Sequence, residues 1–91
     1  MIKRLAGRKG TDWEISNHAM EEMNIDQIDL LDIRNSLINA SSAKEQDHDG
    51  SIVYAVTGKD TNDRTICAVV EIEEEPAGIF VITVWRVGGR R

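Results

Sequence analysis

Three runs in the second half of the chain, SIVYAVTG at 51–58, RTICAVVEIE at 64–73 and GIFVITVWRV at 78–87, are rich in Val, Ile, Thr and aromatic residues and read as strands. The KDTND and EEPA links between them are too short for a crossover, so the runs form an antiparallel meander. In the last run both alternating sets, Ile79/Val81/Thr83/Trp85 and Phe80/Ile82/Val84, are largely apolar. That pattern predicts a strand buried on both faces or near the centre of the sheet.

The segment before the strands reads as helical. Ser16 is a good N-cap, and Ile15 with Met20 can form a hydrophobic staple, so a short helix is expected over about 17–23. Asn24 suits a left-handed exit. Asp26 and Asp29 resemble the start of a second helix, over about 27–38, whose apolar face is Leu30, Leu31, Ile33, Leu37 and Ile38. Residues 39–42 end it, and QDHDG at 46–50 is a turn in which Gly50 can take a positive φ. A fourth strand is weakly specified at 42–47 or at 12–16. Helices first and sheet after define an α+β domain of two N-terminal helices on an antiparallel sheet of three to four strands.

With 91 residues, 41% of them apolar, the chain has material for one modest core, so we expect a single domain over 1–91. The core is expected at about 12–87, with basic tails at 1–10 and 88–91. The net charge of −5 is unevenly placed: all 16 acidic residues fall between Asp12 and Glu75, while Lys3, Arg4, Arg8 and Lys9 open the chain and Arg86, Arg90 and Arg91 close it. Such a balance lacks the strongly basic profile of a general nucleic-acid binder. Cys67 has no partner for an intrachain disulfide, and a reducing cytosol is the simplest home. The basic N-terminus has no apolar signal core, and no apolar run approaches the length of a membrane span, so a soluble cytoplasmic protein is expected.

No HExxH pair, phosphate loop, GxSxG or paired CxxC is present, so no metal or cofactor is expected. The remaining candidates are scattered. His18 can titrate near neutral pH and shuttle a proton, and Glu21 and Glu22, at i+3 and i+4, can orient its ring on one helical face. The same residues also suit an ordinary helix start. Arg64 opens a strand and Arg86 ends one, and a cation at a strand end can hold phosphate or a developing anion. Strand-end arginines are equally common as surface residues. Trp85 can stack on a base or fill core, and Cys67 reads most simply as core.

Taken in order, His18 with EEM at 21–23, the Ile25/Asp26 restart, Leu37, the Val56–Gly58 strand end, Arg64 before an apolar strand and the terminal VITVWR resemble the family called domain of unknown function 4258. That family is similar to the RelE, ParE and BrnT group of bacterial toxins. The resemblance implies a RelE/barnase-like fold with a curved sheet and a metal-independent ribonuclease. In such an enzyme a base takes the proton of a ribose 2′-hydroxyl, and cations stabilise the charged transition state. Carried over by position, His18, Glu22, Arg64 and Arg86 are the catalytic set, Trp85 is a stacking platform for RNA, and a cognate antitoxin or other protein is the partner. Glu22 departs from relatives that carry arginine there. The alternative is a non-catalytic module that binds a protein through a sheet edge and the acidic segment at 71–75.

Overall fold

A computed structural model describes residues 1–88. The elements are α1 (Ile2–Gly7), β1 (Asp12–Ile15), α2 (Asn17–Asp26), α3 (Leu30–Ile38), β2 (Ala40–His48), β3 (Ser51–Lys59), β4 (Thr65–Glu74) and β5 (Ala77–Arg86). The fold is α+β, but the sheet has five strands rather than three to four and is mixed rather than antiparallel. Its order is β1-β5-β4-β3-β2, and β1 runs parallel to β5. Both weakly specified segments are strands. Each occupies an edge, where backbone pairing with one neighbour suffices and a long apolar run is not needed. In β1, Trp13 and Ile15 are half-buried while Asp12 and Glu14 are exposed, and β2 is exposed from its second residue to its last.

The first ten residues are not simply a basic tail. Ile2, Leu5 and Ala6, spaced i, i+3, i+4, are buried on α1, which packs against α3. Lys3, Arg4, Arg8 and Lys9 are exposed, and their charge masks this short amphipathic pattern in the sequence. Arg90 and Arg91, expected in the closing tail, lie outside the described residues.

Ser16 caps α2 as its type predicts, and it also ties the helix to the sheet. Its hydroxyl accepts from Ala19 N at 2.9 Å and donates to Ile82 O at 2.6 Å. The helix continues past Asn24 to Asp26, and Gln27 takes the left-handed conformation at φ 54°. Ile28 is buried between the helices. A capping box then starts α3: Asp29 Oδ1 accepts from Asp32 N at 2.8 Å, and Asp32 Oδ2 accepts from Asp29 N at 3.1 Å.

The core lies between the helices and one face of the sheet, built from Ile33 and Leu37 of α3 with Val56, Ile66, Val70, Ile79, Val81 and Val84. Although β5 is interior, it is not buried on both faces. A register shift at Ile82 makes its two alternating sets exchange faces: Ile79, Val81 and Val84 are buried, whereas Phe80, Ile82 and Thr83 are only half-covered and Trp85 is 39% exposed. The closest backbone approach is at Gly58, where an added Cβ would collide with the Ser36 carbonyl oxygen. Gly58→Ala should therefore destabilise the fold by about 1–3 kcal/mol, measured as a lowered denaturation midpoint with unchanged slope.

Candidate functional site

The β3–β4 turn, KDTNDR, is organised around Asp60, a carboxylate that is only 3% exposed. Its Oδ1 accepts from the backbone N–H groups of Asn62 and Arg64, each at 2.8 Å, and its Oδ2 accepts from Arg64 Nε at 2.6 Å. The guanidinium then reaches across to the helix junction. Its two terminal nitrogens donate to the carbonyl oxygens of Asp26 at 3.1 Å and Gln27 at 3.0 Å. One of them also lies 3.5 Å from Asp32 Oδ2. One arginine thus closes the exposed C-terminal carbonyls of α2, the N-terminus of α3 and the turn.

Asp32 is the second hub. Besides the capping box, its Oδ1 accepts from the backbone N–H of Thr61 at 3.1 Å and from the Thr61 hydroxyl. Burial pushes the Asp32 carboxyl up, but the hydrogen bonds from Thr61 and Asp29 outweigh it and hold the group below the usual carboxylate range. Asp26 is buried on the β5 side of the same junction, where Arg86 N donates to its Oδ2 at 3.4 Å. Arg64 through its guanidinium and Arg86 through its backbone N–H therefore meet the same end of α2.

His18 is placed elsewhere. It is exposed in the first turn of α2, eight residues before Asp26, which is roughly 12 Å along the helix axis. Glu22 is half-buried one turn below it, and among the described residues no hydrogen bond or ion pair joins the two. Trp85 pairs with Cys67 on the face of the sheet that lacks helices, so the sheet separates it from His18. Burial pushes the Cys67 thiol up, offset in part by a hydrogen bond with Thr57. Two open depressions lie on the surface. One, of about 280 Å³, is bordered by Asp12, Glu14, Glu71 and Glu73, and the other, of about 450 Å³, by Ile2, Ala40, Ser42 and Tyr54. None of His18, Glu22, Arg64, Arg86 or Trp85 lines either pocket.

Asp60, Asp32 and Thr61 escape a sequence search because they look like turn and cap residues. The available signal is D-x-N-x-R at 60–64, an Asx turn in which a buried aspartate organises the backbone and the arginine that follows it. Among the described residues no group of three or more His, Cys, Asp or Glu side chains is arranged to hold a metal ion, and no helix is long and apolar enough to cross a membrane.

These features define a small α+β domain with one arginine-centred junction and a sheet covered on one side. The chain belongs to the family described as Domain of unknown function (DUF4258), whose model matches residues 15–86. No curated protein and no solved structure matches it.

Two outcomes follow from the junction. Arg64→Ala should cost on the order of 3 kcal/mol in equilibrium unfolding, because it leaves Asp60 and Asp32 buried without their cation. Since Asp32 titrates below its unfolded value, the stability it confers is complete above the usual carboxylate pKa and is lost as pH falls through the lowered one. Unfolding at a series of pH values below about 5 should show this decline, and Asp32→Asn should flatten it.

Proposed function

We propose that the domain is a non-catalytic protein-binding module. The observation that carries this reading is the engagement of Arg64. All three of its nitrogens are committed to Asp60 Oδ2, Asp26 O and Gln27 O, with Asp32 beside them, so the best-placed cation is occupied by the protein itself. A phosphate approaching there would meet the buried carboxylates Asp26, Asp32 and Asp60. The spacing of His18 from this junction and the excess of acidic residues support the same reading, since counterion release supplies much of RNA affinity.

The competing reading is a RelE-, ParE- or BrnT-like toxin that cleaves RNA without a metal and is neutralised by an antitoxin. It requires His18, Glu22, Arg64 and Arg86 to act on one phosphate. Arg64 would first have to leave its three acceptors. Purified protein incubated with a mixed RNA substrate in the presence of a chelator separates the two. The expected result is intact RNA with both wild type and His18→Ala, and equal growth of cells expressing either. Cleavage by the wild type that disappears in a folded His18→Ala variant would overturn the binding-module reading.

A further inference from the structure

The helices cover one face of the sheet and leave the other bare. The buried side chains of α1, α2 and α3 join a single cluster with Val56, Ile66, Ala68, Val70, Ile79, Val81 and Val84. Strand alternation, shifted by one residue at Ile82 of β5, puts the intervening residues on the opposite side. The register orders them in cross-strand rows: Thr57–Cys67–Trp85, then Ala55–Val69–Thr83, then Glu71–Phe80–Glu14, then Glu73–Gly78–Asp12. The face is therefore aromatic at one end, small in the middle, and at the other end acidic around a second aromatic ring. At that acidic end the four carboxylates, Phe80 and Gly78 border the pocket of about 280 Å³.

We infer that this face docks an amphipathic helix of a partner protein and seats a Lys or Arg side chain of that helix in the acidic pocket. The inference rests on the binding-module reading and adds the surface and the chemistry of the partner. Width and length both fit a helix. From β3 to β5 the face spans two strand spacings, roughly 10 Å, which is the diameter of one helix with its side chains. From the Glu71–Phe80 row to the Cys67–Trp85 row, four residues of β4, it runs roughly 13 Å, the rise of between two and three helical turns. The small side chains Ala55, Val69 and Thr83 leave room for the apolar stripe of such a helix, and Trp85 supplies an exposed anchor at the far end.

Charge decides what the partner carries. Asp12, Glu14, Glu71 and Glu73 stand on two adjacent rows, and an apolar or acidic occupant would have to desolvate them without compensation. A cation placed there gains carboxylate partners from β1 and β4, with Phe80 between Glu14 and Glu71 in the same row. The carboxylates are not arranged to hold a metal ion. A second copy of this chain would bring the same excess of negative charge, −5, to an acidic surface, and a nucleic acid would be repelled outright.

The test pans a displayed library of random peptides of about 12–16 residues against the purified full chain. The expected result is enrichment of sequences with Lys or Arg beside apolar residues at helical spacing. Their affinity should fall roughly tenfold or more in Glu71→Gln/Glu73→Gln and should weaken with salt. Binding should also be lost in Trp85→Ala and should quench Trp85 fluorescence. These variants lie on the exposed side of the sheet, and circular dichroism confirms that each is folded. Peptides without basic residues, or affinity unchanged in both variants, would overturn the proposal while leaving the binding-module reading standing. Absence of any enriched peptide, or self-association of the chain that Glu71→Gln/Glu73→Gln abolishes, would overturn it too. Loss of the binding-module reading itself is signalled by RNA cleavage, which this experiment does not measure.

Discussion

One guanidinium holds the helical layer to the sheet. Asp26, Asp32 and Asp60 are buried in a chain of only 91 residues, and an isolated carboxylate in such a place would protonate or unfold the structure around it. Here the charge is met from two directions. Backbone N–H groups of Asp29, Thr61, Asn62, Arg64 and Arg86 supply donors, and Arg64 supplies the cation. Because Arg64 also caps the last carbonyls of α2, the charge network and the turn between α2 and α3 stand or fall together. All three nitrogens of the Arg64 guanidinium are bonded within the fold.

How much of this was legible in the sequence depended on how each element earns its burial. β3, β4 and β5 announce themselves because interior strands must be apolar along their length, and their observed ends fall within a residue of the expected ones. The capping signal at Ser16 was readable because it acts over three residues, whereas the start of α3 was read three residues early, since Asp26 closes α2 and Asp29, not Asp26, is the N-cap. The edge strands were barely legible, since β2 contributes pairing and almost no buried side chain. α1 was hidden by the lysine and arginines that share its six residues with Ile2, Leu5 and Ala6. The acceptors of Arg64 were not legible for a simple reason. Its partners Asp26, Gln27 and Asp32 lie more than thirty positions upstream, and nothing in local pattern places them beside the turn.

The two faces of the sheet divide the chain's polar and apolar resources in different ways. On the helix side the alternating residues are Val and Ile, fully enclosed, with Gly58 letting α3 come down onto β3. On the other side the same strands carry Thr, Cys, Ala and Val in the middle, and acidic residues toward the β4–β5 turn. Val53 and Cys67 are buried there without a helix above them. Phe80, Thr83 and Trp85 of β5, whose apolar and aromatic character in sequence terms looks like the mark of a strand enclosed on both sides, lie on the side of a two-layer domain that no helix covers.

The parallel pairing of β1 with β5 also bears on how the chain comes to be folded. More than sixty residues separate β1 from β5, the strand it pairs with, so the two must close a long loop. Until residue 86 has left the ribosome, α2 has no strand to lie on and Ser16 has no Ile82 to bond. Assembly of the N-terminal half is therefore a late event, after the meander has formed from nearby hairpins. The segment just before β1 carries Lys3, Arg4, Arg8 and Lys9, which keep it solvated in the interval.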